Sequence, residues 1–289
     1  MRFVWLAAAL LTLGASAVAA SFDVEGHRGA RGLEPENTMP AFARAVALGV
    51  DTLELDVAIT RDGVPVVSHS PLVEGAICSA PTGQPALATG VTIHSLDWRD
   101  VQRFDCGSKP NPAFGRQAAR PGAGIPRLSD VLQLARTAGV RVNVETKVTP
   151  AWEASGVTPA PSVFVTLIAA ALRDAGMLNA ATLQSFDPRV FPLAHQAMPG
   201  VPLAWLVSSE PPGVLHAAQA LGVSVYSPDY RGLREGLVKE LQAGGVRVLP
   251  WTVDDETVMR RLIAWGVDGL ITDNPDILLG VLGRAKKQP

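Results

Sequence analysis

From Arg127 to the end of the chain, apolar runs of two lengths alternate. A longer run with polar residues spaced through it predicts a helix. A glycine or turn closes it, and a short run dense in Val, Ile and Leu then predicts a strand. Helices are predicted over Leu128–Ala138, Ser162–Ala175, Pro188–Ala197, Pro211–Leu221, Leu233–Ala243, Asp254–Trp265 and Pro275–Leu282. Strands are predicted over Arg141–Thr146, Ala181–Ser185, Pro202–Val207, Val223–Ser227, Arg247–Thr252 and Asp268–Thr272.

The earlier part of the chain adds two more strands. Phe22–His27 predicts a strand ending in H-R-G-A-R-G, and Met39–Leu48 a helix capped by Asn37 or Thr38 and closed by Gly49. Asp51–Pro71 (D-T-L-E-L-D-V-A-I-T-R-D-G-V-P-V-V-S-H-S-P) predicts strand, turn, strand, with Asp62-Gly63 as a two-residue hairpin loop. In that register Arg61 faces Val64 and Asp56 lies opposite His69.

Eight strands, ending near His27, Val57, Thr146, Ser185, Val207, Ser227, Thr252 and Thr272, each with a helix after it, predict an α/β protein built as a (βα)8 TIM barrel. The hairpin is then a β-hairpin extension above the second strand, because parallel neighbours need a crossover far longer than T-R-D-G. Residues 70–126, rich in Gly, Pro and Ala with little periodicity, predict a long loop insertion at the C-terminal face, with one short helix within Ser95–Phe104. An open doubly wound sheet is the competing arrangement.

The chain has 289 residues, 47% of them hydrophobic, and a net charge of −2, which suits one large domain with an ample core. Near-neutral charge argues against nucleic acid as a partner and against electrostatic binding to acidic membranes. Residues 1–20 carry Arg2, an apolar run from Phe3 to Val18 and small residues before Ser21, which are the marks of a secretory signal peptide cut near Ala19 or Ala20. The domain is therefore expected over residues 21–289, exported to the periplasm or secreted, with no stable membrane anchor after cleavage. In an oxidising compartment Cys78 and Cys106, both in the insertion, are expected to pair and clamp it. No pattern in the sequence specifies an oligomeric state.

A barrel collects its chemistry at the C-terminal ends of its strands. Those ends carry His27 and Arg28, Glu54 and Asp56, Glu145 and Lys147, Gln184 and Asp187, Trp251, and Asp273 and Asn274. Most stand in apolar runs, where an ionised side chain is costly unless paired or metal-bound. Glu54, Asp56 and Glu145 are expected to converge. Clustered acids repel, so a cation belongs among them. All-oxygen ligation suits one divalent ion, Ca²⁺ or Mg²⁺, better than zinc. Arg28 and Lys147 beside that ion make a site for an anion, with phosphate the natural guest. His27 and His69 on either side can divide general base and general acid work on a phosphodiester. Asp273 and Asn274, ahead of Pro275, read as a turn and helix cap; His94, His195 and His216 read as structural.

H-R-G-A with P-E-N-T, E-x-D-V-x-x-T-x-D-G-x-x-V-x-x-H, and E-T-K resemble the glycerophosphodiester phosphodiesterases, as do the later S-F-D, P-W-T-V-D and G-L-I-T-D-N-P. The resemblance runs in order through nearly all of the chain after residue 20. It implies a metal-dependent hydrolase on a (βα)8 barrel, cleaving small-molecule glycerophosphodiesters such as glycerophosphocholine or glycerophosphoethanolamine to sn-glycerol 3-phosphate and an alcohol. It also implies His27 and His69 as the acid–base pair, Glu54, Asp56 and Glu145 as cation ligands, Arg28 and Lys147 near the phosphate, and Trp251 lining the pocket. Where that family usually shows His-Asp, this chain has His69-Ser70; serine can hydrogen-bond but carries no charge. The alternative on the same barrel is a phospholipase C- or D-like lyase that acts on intact lipid and releases a cyclic phosphate.

Overall fold

Eight parallel strands follow one another around a nearly closed ring in the computed structural model, which describes residues 22–80 and 90–284. The segment read as a signal peptide lies outside the described residues, as does part of the insertion. The strands are β1 (Asp23–Gly26), β2 (Thr52–Ile59), β3 (Pro65–Val67), β4 (Arg141–Thr146), β5 (Ala181–Ser185), β6 (Leu203–Val207), β7 (Val225–Pro228), β8 (Arg247–Val248) and β9 (Gly269–Thr272). All but β3 belong to the ring. Pairing runs β8-β7-β6-β5-β4-β2-β1-β9, and every ladder within it is parallel.

The last seam, between β8 and β9, is carried by main-chain bonds from Asp268 to Val248, Ile271 to Pro250 and Val253 to Ile271 at 3.0, 3.1 and 3.0 Å. Pro250 has no N–H to give, which explains why the regular ladder of β8 is so short. The helices are α1 (Met39–Leu48), α2 (Trp98–Val101), α3 (Leu128–Ala138), α4 (Pro150–Ala154), α5 (Pro161–Asp174), α6 (Val190–Ala197), α7 (Val214–Leu221), α8 (Glu235–Ala243), α9 (Glu256–Ala264) and α10 (Pro275–Val281). The barrel expected from the sequence is therefore the fold observed.

Alternation along each strand sorts side chains to two sides. Leu53, Leu55 and Val57 of β2 face outward and pack with Phe42 of α1, Leu128 and Leu132 of α3 and Phe164 of α5 in one continuous core. The inward side has two halves. Beside β6 to β9 it is filled by Ala204, Val225, Leu249 and Ile271, with Trp251 packed on them. Beside β1, β2, β4 and β5 it is polar: Glu25, Glu54, Asn143 and Gln184 are all buried. A barrel interior is ordinarily packed with branched apolar residues, so the polar half points to a use.

β3 pairs antiparallel with β2 outside the ring, as the hairpin reading required. Its register differs from the expectation. Val57 faces Val67 and Ile59 faces Pro65, and Thr60 bonds Val64, so the loop is Arg61-Asp62-Gly63 rather than two residues. Thr60 selects this closure. Its hydroxyl donates to Asp62 Oδ1 at 2.6 Å and accepts the Val64 N–H at 2.9 Å, and Gly63 takes the left-handed conformation at φ 79°. Asp56 consequently lies opposite Ser68, whose N–H bonds its carbonyl, and His69 sits one residue beyond. Within the insertion, Cys78 and Cys106 form a disulfide that closes a sequence separation of 28. Their buried sulfurs pack with Ile93, Val101, Phe104 and Ile125 in a small separate core. Among the described residues no helix is long and apolar enough to cross a membrane.

Candidate active site

The turn after β1 sets the site. Gly29 adopts φ 89°, and a Cβ there would fall 2.6 Å from the Ala41 main chain, so only glycine lets α1 pack this close. Among the described residues the non-glycine residues with positive φ are Arg28, at 50°, and Asn37, at 55°. Such backbone costs on the order of 1–3 kcal/mol and persists only where surroundings over-determine it. Here they do. The Asn37 N–H bonds the Arg28 carbonyl at 3.0 Å, and the Arg28 N–H bonds Glu54 Oε2 at 2.9 Å. Thr38, not Asn37, caps α1. The Asn37 amide instead donates to Asp56 Oδ2 at 2.8 Å.

Glu54, Asp56 and Glu145 converge as expected, with one oxygen of each within 4.8 Å of the others. The register explains why. Asp56 on β2 is the direct neighbour of Glu145 on β4, and Glu54 lies one inward position lower. Lys147 Nζ reaches Glu145 Oε1 at 2.7 Å and approaches Asp56 Oδ1 to 3.2 Å. Arg28 Nε is 3.5 Å from Asp56 Oδ2, while its Nη1 binds Glu36 at 2.6 Å.

Burial pushes all three carboxyls up, yet Lys147 and Arg28 hold Asp56 well below the usual range. Glu54 is driven well above it by burial and by the charges of Asp56 and Glu145. Glu145 rises to about 7 through burial and Asp56, against the pull of Lys147. The donors fit a hard divalent ion: three carboxylates converge, and the buried Asp56 Oδ1 makes no hydrogen bond.

His27 stands beside this cluster, its Nε2 4.0 Å from Glu54. Its Nδ1 is 2.6 Å from Asp273 Oδ1, and Arg31 grips the same carboxylate through both oxygens at 2.8 Å each. Asp273, just after β9, thus ties the end of the last strand to the end of the first, and is not merely a turn residue before α10. Burial would raise its carboxyl, but His27 and Arg31 pull it far down. With an ionised Asp273 accepting at Nδ1, the neutral His27 ring carries its proton there, and Nε2 accepts from Arg28 Nε at 3.3 Å. Burial and then Arg28 lower the His27 pKa, against the opposing pull of Asp273. His69 is pushed down to about 3 by burial and by the nearby Lys147 and Arg28, against Asp56. Ser70 turns its hydroxyl to the Leu72 N–H at 3.1 Å.

A cavity of about 320 Å³ joins these groups. His27, Arg28, Glu54, His69, Glu145, Lys147 and Trp251, all expected at the site, line it together with Arg31, Gln184, Phe186, Leu206, Thr252 and Ile271. Asp56 lies just beneath, 1% exposed. One wall is charged and the other apolar. Trp251 donates its indole N–H to the Ser227 carbonyl at 2.9 Å and meets Phe186 edge-on at 5.6 Å. Arg31, Glu36 and Phe186 were not singled out from the sequence, while Asn37 and Asp273 were read there as cap and turn residues. Glu36 lies inside P-E-N-T, so position alone could have flagged it.

Fold and rim chemistry together define a barrel hydrolase whose cavity pairs a cation-ready acid cluster with fixed positive charge. The Glycerophosphoryl diester phosphodiesterase family model matches residues 27–277, and the chain belongs to that family. It is 30% identical over 259 residues to a glycerophosphodiester phosphodiesterase of Caldanaerobacter subterraneus subsp. tengcongensis, covering 90% of this chain and 97% of that one. A crystal structure of a Silicibacter pomeroyi protein assigned to the glycerophosphoryl diester phosphodiesterases superposes with a TM-score of 0.83 at 28% identity, over 93% of this chain and 96% of that one. An Oleispira antarctica phosphodiesterase, solved in complex with the product sn-glycerol-3-phosphate, shares the fold with a TM-score of 0.76 at 20% identity, over 90% of this chain and 96% of that one.

Proposed function

We propose that this protein hydrolyses glycerophosphodiesters, such as glycerophosphocholine and glycerophosphoethanolamine, to sn-glycerol 3-phosphate and the free alcohol. The observation that carries the reading is the meeting of three acids, two imidazoles and two fixed cations at one cavity. The family assignment and the product held by the Oleispira relative support the substrate class.

Arg28 and Lys147 take the phosphate oxygens, and both stay charged because the acids around them outweigh the cost of burial. His27 is the general base. Asp273 fixes its tautomer and stabilises the imidazolium that forms, so that the Nε2 lone pair, turned to Arg28 Nε at 3.3 Å here, can take the proton of the attacking glycerol hydroxyl once Arg28 turns to the phosphate. That attack on phosphorus gives a cyclic ester, which water then opens. His69 is the general acid for the departing alcohol; a bound phosphodiester anion raises its otherwise depressed pKa. Glu54, Asp56 and Glu145 would hold a divalent cation, Ca²⁺ or Mg²⁺, which would offset the negative charge growing on the phosphoryl group. Trp251 and Phe186 give the organic part of the substrate an apolar wall.

Residues 1–20 act as an export signal in this reading, and the Cys78–Cys106 disulfide suits a periplasmic or secreted destination. A panel of glycerophosphodiesters coupled to glycerol 3-phosphate detection tests the reaction. Release from at least one member of the panel is expected. No glycerol 3-phosphate from any of them, with Ca²⁺ or Mg²⁺ supplied, would overturn the assignment.

A further inference from the structure

Below the acid cluster a column of buried polar side chains descends through the barrel, and the chemistry above leaves it unexplained. Glu54, Gln184, Asn143 and Glu25 are 2, 1, 0 and 3% exposed. They are linked in order. Gln184 Nε2 donates to Glu54 Oε1 at 2.7 Å, Asn143 Nδ2 donates to Gln184 Oε1 at 3.2 Å, and the same nitrogen donates to Glu25 Oε2 at 2.8 Å. The opposite half of the interior is filled by Ala204, Val225, Leu249 and Ile271 at no such desolvation cost.

We propose that Gln184 is a positioning residue for the cation site, holding the Glu54 carboxylate in its ligating orientation, with Asn143 fixing the sense in which Gln184 presents its amide. This rests on the reading of Glu54 as a cation ligand. The direction of every bond supports it. A side-chain amide has one acceptor end and one donor end. Because Asn143 spends both amide protons, one on Glu25 and one on Gln184, the Gln184 oxygen must face down and its NH₂ must face up. Turning Gln184 over would set oxygen against the Glu54 carboxylate and nitrogen against the Asn143 NH₂.

Asn143 leaves its own Oδ1 buried without a partner. Turned over, Asn143 would set that oxygen against both Gln184 Oε1 and Glu25 Oε2 and bury its NH₂ without an acceptor instead, so its orientation is fixed. Glu54 is thereby held from below by Gln184 and from the side by the Arg28 N–H at 2.9 Å. One of its oxygens lies within 4.8 Å of oxygens of Asp56 and Glu145.

The test is Ca²⁺ titration by calorimetry on the full chain, without substrate, for wild type, Gln184→Leu, Gln184→Met, Asn143→Leu and the double variant Gln184→Leu with Asn143→Leu. Partners behind a metal ligand typically govern affinity by about 10–100-fold. Gln184→Leu and Gln184→Met are each expected to weaken Ca²⁺ binding by about that factor. Asn143→Leu is expected to weaken it too, and the double variant to be no weaker than Gln184→Leu alone. Variants that melt cooperatively yet bind Ca²⁺ as tightly as wild type would overturn the positioning role and leave the cation site standing. A wild-type protein that binds neither Ca²⁺ nor Mg²⁺ would overturn both.

Discussion

Asp273→Asn changes one atom's chemistry and leaves the shape of the site almost untouched. In the native protein Asp273 Oδ1 serves His27 Nδ1 at 2.6 Å and Arg31 Nε at 2.8 Å, and Oδ2 serves Arg31 Nη2 at 2.8 Å. An asparagine cannot satisfy all three donors. With its NH₂ in the Oδ2 place it faces the Arg31 fork. With its NH₂ in the Oδ1 place it faces both Arg31 and His27, and forces the His27 proton onto Nε2, where a base must have its lone pair. Either way the imidazolium loses a buried counter-charge. Opposite charges at such range are worth about 1–3 pKa units, at about 1.4 kcal/mol each, or roughly 10- to 1,000-fold in rate. The tautomer penalty adds to this, and the equivalent exchange in a Ser-His-Asp triad costs about 10⁴ in kcat. We therefore expect Asp273→Asn to lower kcat on glycerophosphocholine by about 10²–10⁴ with KM little changed, measured by coupled glycerol 3-phosphate release at saturating Ca²⁺. A folded variant within a few-fold of wild-type kcat would refute the claim that His27 works through Asp273.

His27→Ala and His69→Ala are each expected to lower kcat by about 10²–10⁴, since each removes one proton-transfer partner; a variant that keeps wild-type turnover would remove that residue from the mechanism. In chelator, stability should fall between about pH 7 and 8. Glu25, raised to about 8 by burial and Asp23, then gives up a proton that the unfolded chain has already lost, so the folded state loses its advantage as pH climbs. Thermal melts in EDTA across that range check the sign, and Glu25→Gln should flatten the slope. Replacing Cys78 and Cys106 together by Ala frees a separation of 28 residues, for which loop entropy gives about 3–4 kcal/mol. Denaturant unfolding should show a lowered midpoint, and an unchanged one would mean that the insertion stands without its clamp.

The strand ends were legible because the ring is parallel and covered on both faces. Such strands read as unbroken apolar runs, so Glu54, Asp56 and Glu145 stood out as charges with no solvent to reach. The hairpin was legible from Asp62-Gly63, but its register was not. A two- or three-residue closure suits that pair equally, and the Thr60 hydroxyl decides between them. Asp273 was hidden by a sufficient local explanation, since a polar residue before Asn274-Pro275 is an ordinary helix start. Its working partner His27 lies 246 residues away. Gln184 was visible as a polar residue in β5, but its purpose depends on the direction of hydrogen bonds from Asn143, which no spacing encodes. Arg28 carries left-handed backbone against its propensity, whereas Asn37 is of a type that tolerates it, and the bonds of both to the acid cluster hold them there.

Phosphorus NMR of glycerophosphocholine incubated with the whole protein, in parallel samples with Ca²⁺ and with EDTA, tests the metal-assisted hydrolysis most directly. The account predicts that the diester resonance gives way to that of sn-glycerol 3-phosphate with Ca²⁺, and persists unchanged with EDTA. Equal conversion in both samples, or a cyclic phosphate that accumulates and never opens, would contradict it.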